Sequence, residues 1–340
     1  MGNTAIGFLL LLSAGMMNAG FSFPMKKTRN WAWENTWLAW AIFALLVLPT
    51  IAVALSIPTP FVVYKLAGMA ILSKVAIFGF GWGIAQVLFG LAIDGIGIAL
   101  AFSIVLGTSA ATGSLIPLFQ LHREKVFSPS GAAILLGTAL VLIGLVFCGI
   151  AGHRREKQAF QSNELVAKKK MSFGQGLTLA TLSGLLAAFM NFGVAYGGPL
   201  LQSAIERGAS PSMAMNAIWL PLLAAGSVPN ILYCLFLLNK NRSYKRFSNP
   251  DSGSYWLLAL IMAVLWLGST LIYGIASYKL GQLGAVLGWP LFMSIIVLSA
   301  NGLGIISGEW KNAGKSALRL QGVGIVFLIL AVIALSRASS

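Results

Sequence analysis

A stripe of aromatic and hydroxyl side chains in the later part of the chain has the spacing and chemistry of a ligand-binding surface. Its members follow one another at i, i+4, i+7 and i+11, and they are Trp266, Thr270, Tyr273 and Ser277. Residues at these intervals share one face of a helix. Hydroxyl groups can hydrogen-bond to a hydroxylated small molecule, and aromatic faces can cover its C–H surfaces in a largely preformed cavity. The stripe predicts a cavity wall, and tight helix packing with Trp and Tyr filling volume is the alternative.

Trp82 and Gln86 form a second candidate pair, one helical turn apart in the run FGFGWGIAQ. Gln86 falls in the middle of a long apolar stretch, where an unpaired amide costs roughly 2 kcal/mol or more. It is therefore expected to bond to another helix or to face a wet cavity. Gly79, Gly83 and Gly90 lie beside this pair, so another backbone is expected to approach closely there.

Three further residues are candidates for ligand contact, and they are Asn18, Asn191 and Trp289. Asn18 and Asn191 have a simpler interpretation as hydrogen-bonding links between helices. Trp289 precedes Pro290, and a proline inside a helix removes one backbone donor and frees a carbonyl. We expect a kink or a local unwinding at this point. Unwinding would make Trp289 a gate or a ligand platform, and a plain bend is the alternative.

Acidic side chains inside an apolar protein could take up and release protons if water can reach them. The sequence has only eight acidic residues, and all of them fall in loops or near the ends of apolar runs. Asp94 and Glu34 are the two candidates for carrying a proton, and Asp94 is the better placed. Glu34 has an alternative interpretation as a solvated partner of Lys26 or Lys27.

The elements that must position these residues are membrane-spanning helices. Of the 340 residues, 58% are hydrophobic and 9% are charged, and the mean hydropathy is +0.85. A soluble chain has about 25% charged residues, and a membrane span needs about 20 apolar ones. Apolar runs of that length recur along the whole chain without the alternation of barrel strands. The sequence therefore predicts an all-α polytopic membrane protein.

Charges, prolines and glycines divide the chain into ten predicted spans. They run approximately over 4–23, 36–57, 75–93, 96–119, 132–151, 174–194, 212–238, 255–277, 280–306 and 320–335. The longest polar stretch separates the fifth span from the sixth. It predicts a cytoplasmic linker at 153–172 between a first five-helix repeat, 1–152, and a second, 173–340.

The distribution of basic residues predicts the orientation. Of the 23 lysines and arginines, sixteen fall in loops after odd-numbered spans and seven fall after even-numbered ones. The richer side faces the cytoplasm, so both termini are expected on the outer, periplasmic side of the cell inner membrane. This topology signal accounts for the net charge of +15, and nucleic acid is not expected as a partner. In the loop between the first and second predicted spans, Trp31, Trp33 and Trp37 are expected as anchors at headgroup depth. Substrate contact by these indoles is the alternative.

The two halves of the chain also share a pattern of glycines. Gly90–Gly97 aligns with Gly274–Gly281 at an offset of 184, and Gly137 falls near Gly322 at an offset of 185. This alignment places span three on span eight and span five on span ten. Because five is odd, the second half must enter the membrane from the opposite face. The sequence thus predicts two inverted five-helix repeats, an arrangement typical of secondary transporters.

Three stretches of the chain resemble a known family. FPMKKTRNWAWENTW, GWGIAQVLFGLA and GEWKNAGK are similar to segments of the L-rhamnose–proton symporter family of the drug/metabolite transporter superfamily. The resemblance runs nearly end to end. It implies a ten-helix, five-plus-five fold and uptake of L-rhamnose or a similar small metabolite by proton symport. A sugar and protons are then the expected partners, beside membrane lipid.

One functional alternative stays open. An exporter or facilitator of the same fold would need no proton coupling, and the lack of a clearly buried acid favours it. A membrane enzyme is not expected, because the sequence has no HExxH, GxSxG or Walker motif. No cofactor or metal is expected, and the sequence does not predict the oligomeric state.

Overall fold

The computed structural model describes residues 3–162, 171–311 and 313–339, and within them the chain forms helices and no β-strand. In these ranges ten helical segments are long and apolar enough to cross a membrane. The predicted all-α polytopic class is therefore confirmed. Apolar runs become helices because a span must satisfy its backbone hydrogen bonds internally when no water surrounds it.

Seven helices and a π-helical turn make up the first half of the chain. In order they are α1 (Asn3–Gly20), α2 (Trp33–Ile42), the π-helical turn (Phe43–Val47), α3 (Leu48–Ser56), α4 (Pro60–Ala67), α5 (Met69–Ile96), α6 (Ile98–Leu121) and α7 (Pro129–Ser162). The second span consists of α2, the π-helical turn and α3. Gly97 separates α5 from α6 with a φ of 83°, a backbone conformation that glycine adopts without strain.

Seven more helices follow in the second half. They are α8 (Phe173–Ala187), α9 (Phe189–Tyr196), α10 (Gly198–Glu206), α11 (Asn216–Lys240), α12 (Ser252–Lys279), α13 (Gly284–Ile306) and α14 (Lys315–Ser336). A capping box begins α8. The Ser172 hydroxyl accepts a hydrogen bond from the Gln175 backbone N–H, and the Gln175 side-chain oxygen accepts one from the Ser172 backbone N–H. Helices α8, α9 and α10 form the sixth span, Phe173–Glu206. The predicted end of this span at residue 194 is therefore wrong.

The predicted linker at 153–172 begins as helix. Helix α7 continues to Ser162, so the first part of the polar stretch extends the fifth span instead of leaving it. Residues 163–170, with Lys168, Lys169 and Lys170, lie outside the described residues.

One compact unit, unit 1, comprises the described parts of Met1–Ile84 and Phe192–Gly281. In it α1 packs along α12, and α2 packs on both α11 and α12. Two loops, 21–32 and 239–251, meet at one end of this unit.

The other compact unit, unit 2, comprises the described parts of Ala85–Asn191 and Gln282–Ser340. Here α7 packs on α14 and α6, and α6 packs on α8 and α13. Each unit contains helices from both halves of the chain. The inverted repeat is a relation between the sequence halves, and it stays a prediction.

The close backbone approach expected beside Trp82 occurs at two of the three glycines. A Cβ added at Gly79 would lie 1.9 Å from the Leu222 carbonyl oxygen, and one at Gly83 would lie 2.3 Å from the Gly226 carbonyl oxygen. Helices α5 and α11 are thus in backbone contact within unit 1. At Gly90 the expectation is wrong, because a Cβ there would meet nothing within 4 Å.

Replacing Gly79 with Ala should destabilise the protein by about 1–3 kcal/mol, because the added methyl forces α5 and α11 apart. The measurement is the Tm of the purified full-length protein in detergent. Gly90→Ala is the matched control, and it should leave Tm unchanged or raise it slightly. Equal effects of the two substitutions would contradict the backbone contact.

Candidate functional site

Hydrogen bonds join the loops 21–32 and 239–251 of unit 1, which we call the docked loops. The Trp31 indole N–H donates to the Arg246 carbonyl and to the Ser252 hydroxyl, each at 3.1 Å. The Asn35 amide, in the first turn of α2, donates to the Ser243 carbonyl at 3.1 Å. The loops after spans one and seven therefore lie at the same end of the unit, as their odd numbers in the predicted topology require.

Trp31 is a packed side chain and not a headgroup anchor. It is only 5% exposed, and its ring makes edge contacts with Phe247, Tyr255 and Trp256 at centroid distances of 5.1–5.5 Å. The prediction of an interfacial Trp31 is wrong because the second loop, more than 200 residues away, covers it. Trp33 is 41% exposed, as an interfacial position requires.

Glu34 is buried in the same region. It is 4% exposed, and it is the one buried acidic side chain in the described ranges. Its Oε1 accepts from the Asn241 amide at 2.9 Å and from the Ser243 hydroxyl at 2.5 Å. Glu34 is therefore not solvated, and its hydrogen-bond donors are Asn241 and Ser243. The interpretation of Glu34 as a solvated partner of Lys26 or Lys27 is wrong. Asp94, the other proton candidate, is exposed near the end of α5.

Four indole rings of unit 1 form a continuous group, which we call the tryptophan cluster. Trp37 contacts Trp40 at a centroid distance of 4.4 Å, and Trp40 meets Trp266 edge-on at 5.3 Å. Trp266 in turn stacks on Trp82 at 5.5 Å with an interplanar angle of 28°. The structure thus brings together Trp82 and Trp266, which the sequence suggested separately.

Sequence reasoning missed the contribution of α2 to this cluster. Trp33, Trp37 and Trp40 follow one another at i, i+4 and i+7, the same helical spacing that identified the stripe on α12. Trp33 stacks on Trp37 at 5.2 Å, so the ring contacts continue to the docked loops. The spacing signal was present, but the charged neighbours suggested an interfacial hairpin.

The remaining stripe residues on α12 have partners of their own. The Thr270 hydroxyl donates to the Trp266 carbonyl at 3.0 Å, and the fully buried Tyr273 packs near Trp219 and is hydrogen-bonded to Ser277. These contacts favour the packing interpretation for Thr270 and Tyr273.

Asn18 links α1 to α12 in unit 1. Its amide donates to the Ser269 hydroxyl at 2.9 Å, and that hydroxyl donates to the Trp266 carbonyl at 2.6 Å. Asn18 therefore helps to hold the turn of α12 that carries Trp266.

Asn191, in unit 2, satisfies a carbonyl that a proline leaves free. Pro117 lies inside α6 and has no N–H to offer Gly113, four residues earlier. The buried Asn191 amide donates to the Gly113 carbonyl at 2.8 Å and to the Ala285 carbonyl at 2.9 Å. Asn191 is thus an interhelical link, the simpler of its two interpretations.

The carbonyl freed by Pro290 is satisfied in the same way. That carbonyl belongs to Val286, and the Ser114 hydroxyl of α6 donates to it at 2.6 Å. Helix α13 runs unbroken from Gly284 to Ile306, so the expected local unwinding at Pro290 is wrong. A hydroxyl from a neighbouring helix replaces the lost donor, and the helix has no need to unwind.

Trp289 is held inside unit 2. Its indole N–H donates to the Ser109 carbonyl at 3.0 Å, and its ring occupies the space beside Gly113. This position favours packing over a gate. Gln86 is half-buried and has no hydrogen-bond partner within the described part of the chain, so of the candidates in unit 2 it is the one with free hydrogen-bonding groups.

Asn191→Leu should lower the stability of the purified protein by about 1–3 kcal/mol, because the buried Gly113 carbonyl, which Pro117 deprives of its helical donor, loses its replacement donor. Gln86→Leu is the control, since it removes no hydrogen bond within the protein. The measurement is Tm in detergent. Equal Tm values for Asn191→Leu and the unsubstituted protein would contradict a structural role for Asn191.

Comparison with known proteins identifies the family. The family model described as L-rhamnose-proton symport protein matches residues 1–339. A protein of Cronobacter sakazakii named L-rhamnose-proton symporter is 28% identical over 334 residues, covering 96% of this chain and 95% of the relative. One of the same name from Mannheimia succiniciproducens is 26% identical over 337 residues, covering 97% and 96%. With ten apolar helices and a family match over nearly its whole length, the chain belongs to the L-rhamnose–proton symport protein family.

Proposed function

We propose that this chain is a secondary active transporter that takes up L-rhamnose or a similar small sugar together with protons, by alternating access. The family match over residues 1–339 carries the proposal. The relatives from Cronobacter and Mannheimia are named for this activity and align over nearly their full length.

Glu34 supports proton coupling over the uncoupled alternative. The exporter or facilitator was favoured by the lack of a buried acid, and the burial of Glu34 removes that ground. Acidic side chains inside membrane proteins commonly mark proton pathways. We therefore prefer Glu34 to the exposed Asp94 as the proton carrier.

The surroundings of Glu34 suit both of its protonation states. When Glu34 is ionised, the Asn241 amide and the Ser243 hydroxyl donate to its carboxylate. When it is protonated, its O–H can donate to the same hydroxyl or to the amide oxygen, since both groups also accept. Asn241 is exposed at the docked loops, so a proton released from Glu34 has a short route to water at that end.

The docked loops are proposed to face the cytoplasm. Basic side chains concentrate there, with Lys26, Lys27, Lys240, Lys245 and Arg246 among them, and the richer side is normally cytoplasmic. Both termini then lie on the periplasmic side of the inner membrane. The second half of the chain is proposed to be the inverted counterpart of the first.

Sugar contact is proposed for the candidates that keep a free polar group or ring. In unit 1 these are Trp82 and Trp266 of the tryptophan cluster and Asn18 beside Trp266, and in unit 2 the candidate is Gln86. The other four candidates are proposed to serve packing, and they are Asn191, Thr270, Tyr273 and Trp289.

Uptake into proteoliposomes tests the function. Labelled L-rhamnose and a panel of other monosaccharides are offered with and without an imposed proton gradient. We expect accumulation of at least one 6-deoxy or related sugar when the outside is acidic. Accumulation of none of them would overturn the proposed substrate class.

Glu34→Gln should abolish proton-driven accumulation of the transported sugar while leaving exchange of labelled for unlabelled sugar. The amide preserves the size and the hydrogen bonds of the side chain but cannot carry a proton. Asp94→Asn is the matched control, and it should accumulate sugar like the unsubstituted protein. Accumulation by Glu34→Gln at the unsubstituted level would remove Glu34 from the proton pathway.

A further inference from the structure

The tryptophan cluster contains hydrogen-bond donors without acceptors. The Trp40 side chain is 1% exposed, and its indole nitrogen has no hydrogen-bond partner in the part of the chain that the structure describes. The indole N–H groups of Trp82 and Trp266 also make no hydrogen bond to a described residue, but their nitrogens are not fully enclosed, so Trp40 is the cluster's one buried donor without an acceptor in the described ranges. A buried donor left without an acceptor is costly, and each instance calls for a cause such as a missing water or ligand.

Three of the remaining indoles are paired. Trp31 donates to Arg246 and Ser252, Trp37 to the Asn230 side chain at 3.0 Å, and Trp289 to Ser109. Two further buried indoles make no hydrogen bond to a described residue. They are Trp219, which lies against Gly274 of α12, and Trp310, which belongs to unit 2. Within unit 1 the unpaired indoles therefore lie on α12 or against it.

The geometry of the cluster fits a ligand that is rich in acceptors and has an apolar face. The Trp40 and Trp266 planes stand at 82°, and Trp82 lies nearly parallel to Trp266. Ring faces and N–H edges thus occur close together, which suits the C–H faces and hydroxyl oxygens of a pyranose. No cation–π contact involves these rings in the described part of the chain, so the cluster offers no charge to an anionic ligand.

We propose that the tryptophan cluster is the sugar site of unit 1, and that the Trp40 indole N–H donates to a hydroxyl or ring oxygen of the transported sugar. This inference rests on the proposed function and adds the recognising group. Trp40 then sets specificity, because a sugar that lacks the accepting oxygen leaves the donor unpaired. Discrimination by an unpaired buried donor is stronger than discrimination by the fit of an apolar pocket.

Entry of a sugar requires α2 to move relative to α12, because the cluster is buried. The π-helical turn Phe43–Val47 begins three residues after Trp40, and the Leu48 amide bonds back to the Phe43 carbonyl in the wider π pattern. Single π-helical turns inside α-helices are frequent at functional sites. This turn allows the Trp40 segment to shift while α3 stays in place.

Trp40→Phe tests the proposal with the full-length protein in detergent. Phenylalanine keeps an aromatic ring but removes the donor. The probes are L-rhamnose and its monodeoxy analogues, and Kd is measured by calorimetry. We expect Trp40→Phe to raise the Kd for L-rhamnose about five- to tenfold. One deoxy analogue should bind the unsubstituted protein and Trp40→Phe equally weakly, since the oxygen and the donor act as a pair.

Two comparisons keep the result specific. Trp310→Phe, in unit 2, should leave Kd unchanged. The ligand-free Tm of Trp40→Phe should fall no further than that of Trp310→Phe, because both variants lose the same indole volume and neither leaves an acceptor of the protein without its donor. An unchanged Kd for every analogue in Trp40→Phe would overturn the role of Trp40 while leaving sugar transport standing. Failure of the unsubstituted protein to bind any of the sugars would overturn the proposed substrate class and this inference with it.

Discussion

A polar group inside a bilayer has to find its partner within the protein, and the structure depends on this constraint. Two prolines show how it operates. Pro117 and Pro290 each deprive a carbonyl of its helical donor, and Asn191 and Ser114 supply donors from neighbouring helices of unit 2. Helix α13 therefore continues through its proline. At these two positions of unit 2, an amide or a hydroxyl of another helix stands where the proline has removed a donor.

The same constraint separates structural polar groups from those that call for a function. Asn191, Thr270 and Trp289 all have protein partners. Glu34 is satisfied too, but a buried carboxylate costs more than an amide in that place, and its neighbours can accommodate a proton. The buried Trp40 indole N–H has no hydrogen-bond acceptor among the described residues. In the proposed mechanism, the Glu34 carboxylate carries the proton and the Trp40 indole donates to the sugar, and both residues lie in unit 1.

The sequence predicted those features that a local pattern determines. Span number and fold class follow from the lengths of apolar runs, which bilayer thickness imposes. The close approach at Gly79 and Gly83 was also predictable, because small residues at helical spacing permit it. The burial of Trp31 and Glu34 could not be predicted from the sequence, because the loop that covers them is more than 200 residues away along the chain. The uninterrupted α13 depends on Ser114 of another helix, and the tryptophan cluster joins three helices that no local pattern pairs.

A pH electrode in a weakly buffered suspension of cells or proteoliposomes tests the central claim most directly. If sugar and proton enter together, the addition of L-rhamnose to the unsubstituted protein makes the outside alkaline, and the rise tracks the sugar taken up. Sugar entry without any change of external pH would contradict proton symport, and with it the role assigned to the buried carboxylate.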